Sequence, residues 1–312
     1  MLRFILIRLA VAVPTLLGMS VVAFAIVAIA PGDPVMMELR ALGVVPKPED
    51  IAALRAEYGL DQPFLLRYLD WLGRAVQLDL GTSIATGRSV VTEIAMRLPA
   101  TLSLAVSALI GAVLVSVVFG VCALSRNRGV AACMRGLTIL LVSIPSFWLA
   151  LLFIYLFVLT IGWGRLVGDG TWSDLILPAL TLGLGAGASL GRVVYERIRA
   201  ELSEDHIRLA IAKGLAPRRI LISHIAPRIV GPLATAWANT FGALLGGVVI
   251  VESIFGWPGL GQLILQAIAQ RDFPVIQAYL VFMGLIFFTM SILADIVVFF
   301  TDPQLRRTLS DD

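Results

Sequence analysis

The chain is 312 residues long, 59% hydrophobic and only 14% charged, with a mean hydropathy of +0.93 and a formal net charge of +3. That composition excludes an ordinary soluble globular domain and reads as an integral membrane protein. The cations are not interleaved with aromatics into a basic patch, which argues against a nucleic-acid site.

A bilayer core roughly 30 Å thick is crossed by about 20 predominantly apolar residues in a helix. Six segments are long enough: 9–30, 100–124, 137–161, 175–195, 231–251 and 278–300. Runs such as "YLVFMGLIFFTMSILADIVVFF" are apolar on every face, whereas a transmembrane strand needs only about 10 alternating residues. The predicted fold class is therefore an all-α membrane protein with six transmembrane helices. Arg3 and Arg8 precede the first span and "AIA" (Ala28–Ala30) imitates a cleavage site, but the apolar run is long and Pro31 follows directly. This segment reads as a retained span, residues 1–30, rather than a signal peptide.

An N-in, C-in arrangement places fifteen of the twenty-four Lys and Arg residues on cytoplasmic segments. The short outer loops then hold only Arg165 and Arg271, as the positive-inside tendency requires. The long 31–99 loop is extracytoplasmic in this arrangement. It opens with "PGDP" (Pro31–Pro34), where the prolines stop a helix. Pro48 starts an amphipathic helix that ends near Gly59, and Gln62 with Pro63 starts a second. Phe64, Tyr68, Leu69, Trp71 and Leu72 are spaced to lie on a membrane or bundle surface, either as an interfacial cap or as a receiving surface for a partner. Residues 100–307 form a core of five spans that includes a cytoplasmic segment, 197–229, and residues 308–312 are a tail.

Within the core, Cys122 and Cys133 flank a short inner loop beside a reducing compartment, where a disulfide is not expected. Gly183, Gly187 and Gly191 repeat every four residues, as do Gly242 and Gly246. Such rows let helices approach closely; lining a translocation path is the other reading. Asp295 sits about 9 Å inside the cytoplasmic end of the last span, where a proton relay and a pair with a rim arginine are both open.

Several chemistries lack their parts. "GASLG" (Gly187–Gly191) matches the nucleophile-elbow pattern around Ser189, but it lies in an apolar helix, and the only histidines, His206 and His224, are in the cytoplasmic segment. Neither Lys47 nor Lys213 sits in a phosphate-cradling loop, so any ATP coupling must come from another subunit. No His, Cys or Met cluster suits the transfer of a bare metal ion.

The segment 197–229 reads as helix, break, helix. Ser203 is placed to cap "SEDHIRLAIAKG", with Glu204 and Asp205 in the first turn and Lys213 and Gly214 at the end. "APRRILISHIAP" restarts from Pro217 and is closed off by Pro227. A positive-inside linker explains its charge but not a compact, capped helix pair.

This segment resembles the EAA loop of bacterial ABC importer permeases: E-A-A, three residues, G, nine residues, then I-x-L-P. Ala210, Gly214 and Pro227 fall on the final Ala, the Gly and the Pro of the pattern. Arg208 and Leu209 replace its Glu and first Ala, and His224 and Ala226 replace its Ile and Leu. Further stretches, among them "PTLLGMSVVAFAIVAIAPGDP", "YGLDQP", "LDLGTSI", "SIPSFWLALL", "AKGLAPRRIL", "GALLGGVVIVESIFGWPGLGQL", "RDFPVIQA" and "TDPQLR", resemble the first permease subunit of the dipeptide, oligopeptide and nickel importer family.

The resemblance implies a type I importer permease fold in a bacterial inner membrane. Its implied partners are a homologous second permease, two ABC ATPase subunits carrying ATP and Mg, and an external solute-binding protein. This chain would bind no cofactor and no metal itself and would be surrounded by lipid. The EAA-like loop would be the coupling element, with Arg208, Lys213, Arg218 and Arg219 as docking cations and Gly214 and Pro217 as its tight turns. "VESIFGWPGLGQL" interrupts regular helix at the outer end of the fifth span. Glu252, Gly256, Trp257, Pro258 and Gly259 there either border the outer mouth or form a rigid turn into a re-entrant stretch, 260–277. Peptides are the expected cargo, with a nickel chelate or glutathione as alternatives. A proton-coupled secondary transporter using Asp295 is the rival from another class, and it predicts inverted repeats and broken helices.

Overall fold

The computed structural model describes residues 2–29, 35–36, 39, 47–57, 61–165 and 170–301. The Pro31–Pro34 turn, Gly59 and the tail with Arg306 and Arg307 lie outside them, as do the side chains of Arg3, Arg8 and Asp295. Helices are α1 (Leu2–Ile29), α2 (Pro48–Glu57), α3 (Phe64–Val76), α4 (Val90–Cys122), α5 (Arg128–Ser143), α6 (Ser146–Phe153) and α7 (Trp172–Leu202). They continue with α8 (Asp205–Ala212), α9 (Pro217–Ile220), α10 (Ala226–Ile254), α11 (Leu260–Gln270) and α12 (Phe273–Thr301).

Five stretches are long and apolar enough to cross a membrane unbroken: Ala10–Ile29, Val90–Cys122, Trp172–Leu202, Pro217–Ile254 and Phe273–Leu293. The sixth expected span, 137–161, is not continuous, because α5 and the helix from Ser146 to Thr160 are bent by 103°. The cause is local. Pro145 has no N–H to donate and pushes the residue before it out of the helical region, and Ile144 takes φ −83°, ψ 123°. α4 is 33 residues, about 50 Å at 1.5 Å per residue, so it outruns the hydrocarbon core.

The chain divides into two compact units. The first comprises Met1–Pro99 and Gly259–Phe288. Its aromatic cluster sets Phe24 of α1 against Tyr68 and Trp71 of α3, with the Phe24 and Tyr68 rings 5.7 Å apart and edge-on. Ser20 and Tyr68 share a 2.8 Å hydrogen bond. Tyr68 and Trp71 are thus an inward face, while Leu69 is 51% exposed. The same unit buries two carboxylates behind an exposed turn: Asp272 accepts from the Ser83 hydroxyl and the Ala85 N–H, and Glu93 pairs with Arg97 and accepts from Thr86. α11 is only 11 residues, about 16 Å, too short to span, and Gly259 opens it.

The second unit comprises Ala100–Pro258 and Thr289–Asp312. α7 is its axis: 56% of its most apolar window is buried, more than in any other span. α5, α6 and α10 pack on it. Part of α4 lies against the Gly183–Gly187–Gly191 row. A Cβ on Gly187 would sit 2.7 Å from Val115 Cβ and 2.9 Å from the Ala112 carbonyl oxygen. One on Gly191 would meet Phe119 Cβ at 2.8 Å, and one on Gly183 the Ala108 oxygen at 3.0 Å. Without a hydrophobic drive between helices in lipid, this close backbone approach provides the contact. Gly246 differs, with open space around its Cβ position.

Candidate functional site

α7 ends at Leu202, and the chain turns at once into the short helix α8. Ser203 does not cap α8: its hydroxyl donates back to the Ala200 carbonyl at 2.6 Å, closing α7, and Glu204 stands at the N-cap without a side-chain bond. α8 stops where the sequence predicts. Gly214 takes φ +76°, the Gly214 N–H donates to Ile211 O at 2.9 Å, and the Leu215 N–H reaches back to Ala210 O at 3.3 Å. A side chain at that φ is strained even though nothing crowds it, which is the physical demand for glycine.

Pro217 then starts α9, where its missing N–H costs nothing. The helix is not closed off by Pro227, however. A π-helical turn, Leu221–Ile225, leads directly into α10, so that Pro217–Ile254 runs as one 38-residue stretch with Pro227 in the first turn of α10. A wider i→i+5 turn accommodates the proline that a continuous α-helix would reject. The second half of the segment is therefore an extension of the fifth span.

One apolar core holds this arrangement. Ile207 and Ala210 of α8 pack with Val194 and Ile198 of α7, with Ile220 and Ile225, and with Ile229 and Leu233 of α10. Ala210, on the final Ala of the loop pattern, is 4% exposed, leaving no room for a larger side chain. The opposite face is open. Arg208, Lys213, Gly214, Arg218 and Arg219 are exposed, and among them Leu209 and Ile211 are each 56% exposed. Exposed apolar and cationic side chains together, on a short helix between spans, are the composition of an interaction surface.

The irregular stretch after α10 is built the opposite way. Glu252 is fully buried and its Oε1 accepts a 2.7 Å hydrogen bond from Thr101 Oγ1 of α4. Trp257 is 3% exposed, and its indole N–H donates to the Ala100 carbonyl at 2.9 Å. Gly256 is half-buried and Pro258 is exposed. These contacts tie the turn to α4, and Glu252 faces no open surface.

A cleft of about 360 Å³ opens among α5, α6, α7 and α10. Ser146, Thr181, Ser189 and Thr240 line it, together with Gly185 and Gly247, and no charged residue does. Ser189 thus sits on a cleft wall, with both histidines in the segment 203–229 and no base beside it.

Residues 112–307 match the family model described as binding-protein-dependent transport system inner membrane component, and residues 1–105 match its N-terminal companion. The chain belongs to the inner-membrane permeases of ABC importers. Within this permease family, it is 35% identical over 307 residues to the glutathione transport system permease protein GsiC of Salmonella typhimurium, covering 98% of this chain and 99% of the relative. It is 34% identical, with the same coverage, to that of Escherichia coli O6:H1. A Brucella abortus chain provisionally named a peptide transport system permease protein is 35% identical over 315 residues. Among solved structures, an inward-facing MetNI methionine ABC transporter superposes with a TM-score of 0.58 at 19% identity, covering 67% of this chain and 96% of that one. An amino acid ABC transporter gives a TM-score of 0.52 at 17% identity, covering 66% and 92%. The permease is thus a multi-pass component of a bacterial inner membrane, a transport subunit of the peptide-importer family. Membership displaces the secondary-transporter reading, even though the break at Pro145 is the kind of feature that reading predicted.

Sequence reasoning missed the partner of Glu252, the role of Ser203 and the Pro145 break. Only the last had a signal in the sequence, a proline in the middle of a presumed span.

Proposed function

We propose that this permease forms one half of the membrane pore of an ATP-driven importer for short peptides, with segment 203–229 as the element that meets the ATPase subunits. The observation that carries this is the set of exposed side chains, Leu209 and Ile211 with Arg208, Lys213, Arg218 and Arg219, on a segment fixed to two spans by its own core. Such a segment moves as a piece with α7 and α10. Closure of two ATPases around ATP and Mg in partner subunits would therefore rotate these spans, open the pore outward to a binding protein, and reset after hydrolysis.

Peptides are the favoured cargo. The relatives in Salmonella and Escherichia are named for glutathione, itself a tripeptide, and the Brucella relative for peptides. The cleft at Ser146, Thr181, Ser189 and Thr240 supports this by having no charged residue in its lining. The test uses the complex with its neighbouring permease and ATPase subunits in lipid, with and without Gly214→Pro. Loss of binding-protein-stimulated hydrolysis in an assembled mutant is the expected result; unchanged stimulation overturns the coupling role. Competition by di- and tripeptides against labelled glutathione in proteoliposomes then ranks the cargo.

A further inference from the structure

The core of segment 203–229 is apolar and non-directional, yet one charged group is drawn into it. Glu201, in the last turn of α7, is 16% exposed at its side chain, and its Oε1 is out of contact with solvent. That oxygen lies 3.2 Å from His206 Nε2 at the start of α8 and 3.4 Å from Arg228 Nε in the first turn of α10, within ion-pair distance of both though in hydrogen-bond geometry with neither. A single carboxylate oxygen therefore addresses the entry of the coupling helix and the entry of the following span at once. The neighbouring Asp205–Arg208 pair, at 3.2 Å, is different: both side chains are well exposed, 94% and 69%, and a solvated i,i+3 pair of this kind contributes little.

Desolvating a carboxylate is costly, and a partly buried ion pair is a poor source of net stability. What such a pair supplies is direction: it holds groups from different elements in one register, as buried polar groups do where several packings of similar energy compete. α8 contributes only Ile207 and Ala210 to the buried aliphatic core, and aliphatic contacts alone are non-directional.

We propose that Glu201 is the positioning residue of the coupling segment, locking α8 against α7 through His206 and against α10 through Arg228. This rests on the coupling role proposed above. Without the lock, α8 would turn on its core when the ATPase pushes it, and the push would be absorbed before it reached the spans.

The measurement is the amount of peptide transported per ATP hydrolysed by the full complex in proteoliposomes. Variants are Glu201→Gln, the partner changes His206→Ala and Arg228→Ala, and Gly214→Pro as reference. Glu201→Gln should lower the ratio about fivefold, within the usual range of coupling between sites, and each partner change should lower it in the same direction. If Gly214→Pro uncouples while Glu201→Gln matches the wild type, Glu201 has no positioning role and the coupling segment stands. If neither variant changes the ratio, the coupling reading fails and takes this proposal with it. Should Glu201→Gln fail to assemble, the partner changes decide: a lowered ratio in assembled His206→Ala and Arg228→Ala supports the lock, and wild-type ratios in both overturn it.

Discussion

The segment 203–229 and the turn 252–258 both interrupt the helical pattern of the second unit, and they are held by opposite chemistries. The first buries aliphatic side chains and leaves Arg208, Lys213, Arg218 and Arg219 in solvent. The second buries its only carboxyl and its indole, each on a hydrogen bond to α4. Interiors reward satisfied polar groups and penalise orphaned ones, whereas an exposed cation costs nothing when removed and is free to meet a partner. The contrast suggests that exposed charge at the first site serves association and buried charge at the second serves architecture.

The largest effect should come from the buried side. Glu252→Ala removes the Thr101–Glu252 hydrogen bond and a buried side chain from a packed interior, and should destabilise the permease by about 3 kcal/mol. Thermal unfolding in detergent reads this, and a wild-type midpoint would break the comparison. Gly187→Leu forces a side chain toward Val115 and the Ala112 carbonyl, and should cost about 2 kcal/mol through displaced helices. A Trp257→Phe change keeps the ring but removes the donor to Ala100, with an expected loss of about 1 kcal/mol in the same assay.

The smallest stability effect belongs to the exposed side. Arg218→Ala with Arg219→Ala should shift unfolding by less than about 0.5 kcal/mol. The same pair should weaken capture of the ATPase subunits, and high salt should shrink the difference from wild type. Unchanged capture at low salt would detach these arginines from docking.

Much of this was legible from the chain alone. Runs of apolar residues fix where helices can cross a bilayer, because the span is set by local length and by backbone hydrogen bonds made within each segment. The stop at Gly214 and the restart at Pro217 were likewise readable, since a left-handed turn and a missing N–H are properties of single residues. The loop pattern around Ala210, Gly214 and Pro227 pointed to the permease family for the same local reason.

What only the tertiary structure decided involves partners remote in sequence. Thr101 and Glu252 are 151 positions apart, and nothing in either neighbourhood announces that they meet. The Glu201–His206–Arg228 contact needs α7, α8 and α10 folded onto one core before a single oxygen can face an imidazole and a guanidinium. Ser203 and Pro227 show the same limit at short range: the sequence offered each a role at a helix end, and packing chose which helix. Local chemistry sets which conformations a residue permits; the choice among them is made by whatever else must be buried at the same time.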